Sequence, residues 1–277
     1  MRLALFNDHR LGLVTEKIID VTGILGDLGI KRDMVEVIKS FDSLSNRFDK
    51  YSQIAPHLDI NNVDILAPIS RPEKFICVLG NYAKHAEELG RKLPPKPEMF
   101  LKASSSIIGP SQNIVLPDIP ATTFHYEAEL AAVIGKEAKN VSEKEAMDYV
   151  FGYTTCIDAS ARGLDDLEVT ALFRSKSFDT FGPIGPWIVT KDELQDPHSL
   201  GIRLWVNDEL KQSGTTKDMV YQIPRLIEYA SSVMTLQPGD VIATGTPPGV
   251  GPITSGDVVK IEIDSIGSMS IKVTGVK

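Results

Sequence analysis

From residue 74 onward this 277-residue chain is written in short runs that suit strands and little else. Ten of them, at 74–79, 98–102, 113–116, 126–134, 149–157, 187–189, 202–206, 241–244, 258–263 and 269–273, are apolar or alternate apolar with polar residues, with glycine and proline between them. Helical patterns are few, at 82–89, 142–150 and 221–234. In the last, Ile223, Leu226, Ile227, Ala230 and Val233 recur at helical spacing and read as a core-facing stripe. The first 70 residues are composed differently. Strand patterns at 2–6, 11–15 and 17–21 suggest a small meander, and helical patterns follow at 33–41 and 43–54. Pro56, Asn61-Asn62, Pro68 and Pro72 then punctuate the chain. The expectation is a β-rich α+β protein with a small N-terminal α+β domain over 1–70 and a larger domain over 71–277. A segment of about 70 residues has a marginal core alone and is expected to pack on the remainder.

Two of the apolar runs carry carboxylates. Glu127 and Glu129 stand in His125-Tyr-Glu-Ala-Glu-Leu-Ala-Ala-Val-Ile-Gly135, and Asp158 closes the run 149–158. On one strand, residues two apart share a face, so Glu127 and Glu129 point the same way as Ala131 and Val133. Like charges so placed need a counter-charge, or desolvation and repulsion drive a proton onto one of them. Oxygen-only donors select a hard divalent cation such as Mg²⁺, Mn²⁺ or Ca²⁺. The other reading is an alternating, solvated strand edge.

Four further groups carry possible chemistry. In Asn81-Tyr-Ala-Lys-His85-Ala-Glu-Glu88-Leu-Gly90, a short helix with Asn81 near its N-cap and Gly90 past its end would set His85 and Glu88 on one face. They form either a general-base dyad or an ordinary surface pair. Lys176, after a polar helical stretch, could clamp a carboxylate or an enolate, or simply be solvated. Lys102 lies in a strand that would bury its stem. The turn 244–251 offers glycine amides and the hydroxyls of Thr244 and Thr246 to an anion, without the Gly-Lys-Ser/Thr ending of a nucleotide loop.

Composition excludes several partners. A net charge of -8 argues against nucleic acid and anionic membrane surfaces, so an anionic substrate must be held by local cations or a metal. No run is long enough to span a bilayer and the first ten residues do not read as a signal peptide, so the expected compartment is the cytoplasm. Cys77 and Cys156 sit in apolar runs and are expected to be reduced core residues.

In order along the chain, these segments resemble the fumarylacetoacetate hydrolase superfamily, in particular its acylpyruvate hydrolase and 2-hydroxyhepta-2,4-diene-1,7-dioate isomerase-like branch. The resemblance covers about residue 71 to the C-terminus. It rests on Asn81-Tyr82-x-x-His85-x-x-Glu88, Phe100-Leu-Lys102, Tyr126-Glu-x-Glu-Leu-Ala-x-Val-Ile-Gly135, Gly152-Tyr-x-x-x-x-Asp158-x-Ser-Ala-Arg162, Lys176-Ser-Phe-Asp-Thr-Phe-Gly-Pro183 and the glycine-rich segment 238–251. It implies a mixed β-roll, a homodimer, and Mg²⁺ or Mn²⁺ on Glu127, Glu129 and Asp158. It further implies water activated by His85 with Glu88, an enolate stabilised by the metal and Lys176, and substrate contacts from Tyr82, Lys102, Arg162, Thr180, Gly245 and Thr246.

The implied activity is hydrolysis of a carbon–carbon bond in a 2,4-dioxo acid of the acylpyruvate type, as in aromatic catabolism. Decarboxylation of a β-keto acid or isomerisation of a 2-hydroxy-dienedioate would use the same site, and a metal-dependent binding protein without turnover is the alternative outside catalysis. One departure stands out: many members carry Gln a few residues beyond the Arg, where this chain has Asp165.

Overall fold

The computed structural model describes residues 1–164 and 172–275. Among them an 11-stranded mixed sheet runs in the order His57–Leu58, Ile18–Asp20, Arg10–Val14, Arg2–Phe6, Gly182–Thr190, Val150–Ile157, Ala128–Ile134, Val241–Ala243, Phe75–Leu79 and Glu98–Lys102, with Ile107–Ile108 pairing alongside Gly182–Thr190. A five-stranded sheet is formed by Glu209–Thr215, Gly201–Val206, Val258–Ile263, Gly267–Gly275 and Ile114–Leu116. A small third sheet joins Ser160–Arg162, Thr123–Tyr126 and Gly251–Ile253. The protein is thus β-rich, with short helices.

The central strands Ala128–Ile134 and Val150–Ile157 are buried along their full length. Strands of that kind need cover on both faces. On one face Leu130, Ala132 and Ile134 share a core with Ile202, Leu204, Val259 and Ile261 of the five-stranded sheet and with Leu226 and Ile227 of the helix Ile223–Val233. On the other, Ala131 and Val133 share a core with Met34, Val37 and Ile38 of the helix Met34–Lys39 and with Leu44 and Phe48 of the helix Phe41–Ser52. The N-terminal meander continues the same sheet, since Arg2 lies opposite Val189 and Leu3 opposite Ile188. Backbone pairing and a common core therefore tie the first 70 residues to the rest.

Some expectations need correction. The run 126–134 is not one strand: it breaks at Glu127, because Thr123–Tyr126 pairs in the small sheet and Ala128–Ile134 in the large one. Alternation in sequence is blind to a change of pairing partner. The helix expected at 142–150 is only a 3₁₀ turn at Ala146–Tyr149. Asn81 does not cap the helix Ala83–Glu88; Tyr82 occupies that position without a side-chain cap bond. Val233, assigned to the core stripe, is exposed, whereas Ile223, Leu226, Ile227 and Ala230 are buried. Cys77 and Cys156 are free and buried, as expected. No helix among the described residues is long and apolar enough to cross a membrane.

Candidate active site

Two neighbouring strands leave the large sheet together, and each places a carboxylate at the point of departure. Ala128 opposite Ile157 is the last pair of the large sheet, and His125 opposite Ser160 belongs to the small one. Between these pairs the Asp158 amide donates to the Glu127 carbonyl at 2.9 Å. Glu129 lies one pair inside the large sheet, opposite Cys156. One oxygen from each of Glu127, Glu129 and Asp158 falls within 4.8 Å of the others, and all three residues are buried.

Cations surround this cluster unevenly. Lys176, at the end of the helix Leu172–Lys176, donates to Glu127 at 2.8 Å and to Asp158 at 2.7 Å. Lys102 donates to Asp158 at 2.5 Å and to the Ala159 carbonyl at 3.1 Å, and Arg162 pairs with Glu127. Both lysines are 2% exposed, so their ammonium groups are as buried as their stems. Burial pushes the Asp158 carboxyl up, but Lys102 and Lys176 more than offset this and hold it below its ordinary value. For Lys176, the desolvation that favours the neutral amine is outweighed by Asp158 and Glu127, which raise its pKa. Among the described residues Glu129 has no such ion pair. Its Oε2 accepts from the Gly245 amide at 2.8 Å, and burial, followed by repulsion from Asp158 and Glu127, outweighs the attraction of Lys176 and raises its pKa well above normal.

The helix Ala83–Glu88 brings the second half of the site. His85 Nδ1 lies 3.1 Å from Glu88 Oε2. Because a carboxylate only accepts, Nδ1 carries the hydrogen and Nε2 is left as a base. Glu88 in turn accepts from the Gly249 amide at 3.1 and 3.2 Å. The amides of the glycine-rich turn are thus aimed at carboxylates of the protein itself, Glu129 through Gly245 and Glu88 through Gly249. Gly245 has φ 92°, and a Cβ there would come within 2.9 Å of Asn81 Cβ, so glycine is required for the amide to reach Glu129. A cavity of about 40 Å³ is lined by His85, Glu127, Glu129, Arg162, Lys176 and Thr246, among others. That is room for an ion or a water.

The remaining candidates are placed as follows. Thr246 is buried, donates to the Ala128 carbonyl at 2.9 Å and accepts from Gln212 at 2.8 Å. Thr180 takes a left-handed φ of 72°, accepts from the Val115 amide at 2.8 Å and is not among the cavity's lining residues. Tyr82 is buried, its hydroxyl finds no partner among the described residues, and it too is absent from the lining. Asp165 lies outside the described residues.

Two positioning roles escaped the sequence reading, although Asn81 itself stands in the motif quoted above. Gln212 accepts from the Ala128 amide at 3.0 Å and donates to Thr246 and to the Pro247 carbonyl, locking the strand that follows Glu127 to the glycine-rich turn. Asn81 ties the base-carrying helix to the same turn by donating to the Thr244 carbonyl at 2.8 Å and by exchanging hydrogen bonds with the Tyr221 backbone. Neither role carries a local signal, since each is made through partners between 34 and 163 residues away.

The cluster fits a hard divalent cation: three oxygen donors converge, and Glu129, which pairs directly with no cation among the described residues, is held towards its protonated form. Entry of the cation must displace that proton over the range from the ordinary glutamate value up to the raised one. Mn²⁺ affinity is therefore expected to be higher at about pH 8 than at about pH 5.5, with net proton release. In the metal-free protein the sign reverses. The contribution of Glu129 to stability is fully present below its unfolded value and is lost as pH rises through the folded one. Calorimetry in buffers of different ionisation enthalpy checks this, and pH-independent binding without proton release would contradict the assignment of Glu129 as a ligand.

Comparison with known proteins completes the picture. Residues 74–274 match the fumarylacetoacetate (FAA) hydrolase C-terminal family. The maleylpyruvate hydrolase of Aquipseudomonas alcaligenes is 36% identical over 293 residues, with both chains covered in full. The mitochondrial oxaloacetate tautomerase fahd2 of Xenopus laevis is 47% identical over 221 residues, covering 77% of this chain and 69% of the relative. The crystal structure of maleylpyruvate hydrolase from Sphingobium sp. SYK-6 in complex with manganese (II) ion and pyruvate superposes with a TM-score of 0.89 at 38% identity, over the whole of both chains.

Proposed function

The chain belongs to the fumarylacetoacetate hydrolase family, and from that premise we propose that it is a Mg²⁺- or Mn²⁺-dependent hydrolase that cleaves a carbon–carbon bond in a 2,4-dioxo acid. The observation that carries this reading is one cavity lined both by His85 and by two carboxylates of the cluster, Glu127 and Glu129. The manganese and pyruvate bound by the Sphingobium relative support it.

Glu127, Glu129 and Asp158 would hold the metal, which would polarise the carboxylate and 2-keto oxygens of the substrate as a Lewis acid. Glu88 keeps the hydrogen of His85 on Nδ1, so Nε2 takes a proton from water. The resulting hydroxide adds to the C4 carbonyl. When the C3–C4 bond breaks, its electron pair passes to C3, giving the enolate of pyruvate and a carboxylic acid. Protonated His85 returns a proton to C3. Lys176, held as ammonium by Asp158 and Glu127, supplies fixed positive charge beside the developing enolate, and Arg162 does the same from the side of Glu127. Lys102 acts through Asp158, which it orients.

The Xenopus relative favours a second reading, a tautomerase or isomerase, in which His85 shuttles a proton without water attack. The reading also places the enzyme in the cytoplasm as a homodimer. Exposed Leu101 and Val233, beside a 490 Å³ cleft lined by Ile76, Met99, Phe100 and Tyr229, support an apolar contact with a second copy.

A product-resolved assay with acylpyruvates, β-keto acids and hydroxy-dienoates, run with Mn²⁺ and with chelator, separates these outcomes. Metal-dependent release of pyruvate with a second carboxylic acid is expected. Carbon dioxide alone, isomerised product alone, or no turnover on any of them would overturn the hydrolase reading.

A further inference from the structure

We infer that Arg91 determines specificity by binding a second carboxylate at the far end of the substrate's acyl tail, an inference that rests on the hydrolase reading above. The helix Ala83–Glu88 is followed by Gly90, whose left-handed φ of 63° folds the chain back. The Gly90 amide then donates to the Glu87 carbonyl at 2.9 Å and the Arg91 amide to the Ala86 carbonyl at 2.8 Å. This closing turn sets Arg91 in the wall of the cavity that His85, Glu127 and Glu129 also line.

The other strong cations of that wall are already engaged. Arg162 pairs with Glu127, and Lys176 is shared between Glu127 and Asp158. Arg91 is exposed while also lining this cavity, and among the described residues no carboxylate lies within ion-pair distance of it. The metal and Lys176 suffice for the pyruvate end of a 2,4-dioxo acid. An unpaired guanidinium next to the apolar side chains of Leu89 and Leu172 suits a short carbon tail ending in an anion. Guanidinium is also the cation best shaped for a carboxylate, which it can grip through two parallel hydrogen bonds.

The test compares 2,4-dioxoheptanedioate with its terminal monoamide, a pair that differs only in the charge of the tail. Wild-type protein is expected to prefer the diacid in kcat/KM, and Arg91→Gln to reduce that preference about 10–150-fold, chiefly through KM. Arg91→Lys should keep part of it. Calorimetric titration of the same two compounds into Mn²⁺-loaded His85→Ala protein, with and without Arg91→Gln, should read the same ratio in Kd without turnover. A wild type that treats diacid and amide alike, or an Arg91→Gln ratio within about threefold of wild type, overturns the role of Arg91 and leaves the hydrolase reading standing. A wild type that hydrolyses neither compound nor any acylpyruvate removes both.

Discussion

His85→Ala is expected to lower turnover of a 2,4-dioxo acid about 10²–10⁴-fold while leaving Mn²⁺ affinity unchanged. His85 reaches the site from the helix Ala83–Glu88, and its Nδ1 is committed to Glu88 at 3.1 Å, so only Nε2 can serve a water. The metal candidates come from a different part of the chain, at the junction of the two sheets, and none of them is bonded to the imidazole. Removing the ring should therefore abolish proton transfer without disturbing the carboxylates. Glu88→Gln should fall between the variant and wild type, because it weakens the orienting bond and the tie to Gly249 but keeps the base. Steady-state kinetics beside a metal titration separates the two effects. Unchanged turnover in His85→Ala would remove the dyad from the mechanism.

The second large effect is a difference between two amide substitutions of similar shape. Glu129→Gln and Asp158→Asn should each weaken Mn²⁺ binding by at least about 10-fold, since even partners outside a coordination sphere are worth about 10–100-fold. Their effects on the metal-free protein should diverge. Among the described residues no cation pairs directly with Glu129, which is held towards its protonated form by burial and by its two carboxylate neighbours. A glutamine can still accept from the Gly245 amide, so Glu129→Gln should leave metal-free stability unchanged or raise it. Asp158 is the shared anion of Lys102 and Lys176, both buried. Asp158→Asn leaves Lys102 without its carboxylate and Lys176 with Glu127 alone, and breaking a buried pair in this way typically costs about 3–5 kcal/mol. Denaturant unfolding in chelator resolves the two. If Glu129→Gln destabilises as strongly as Asp158→Asn, Glu129 is charged in the metal-free protein and the charge distribution described above is wrong.

Much of this was readable along the chain. The meander at the start, the helices after residue 33, most strands beyond residue 74 and the buried free cysteines followed from periodicity and turn residues. Errors fell where periodicity has nothing to report. The strand Glu209–Thr215 is a half-exposed hairpin arm with little apolar patterning, and Gly182–Thr190 begins with glycines and prolines that read as a turn. Gln212 and Asn81 act through partners that are distant in sequence, so no local window contains their meaning.

What the sequence by itself determined is the kind of chemistry: carboxylates embedded in apolar runs, a histidine and a glutamate one helical turn apart, and a lysine in a strand that would bury its stem. Side-chain type and short-range spacing set those features, and both are local properties. Only the tertiary structure decided how the charges are shared. Glu127 and Asp158 meet because two strands change sheets at the same level, Lys102 and Lys176 then neutralise one side of the cluster, and Glu129 is left without a directly paired cation among the described residues. Electrostatic energy depends on distance and burial, and neither exists until remote segments are packed together.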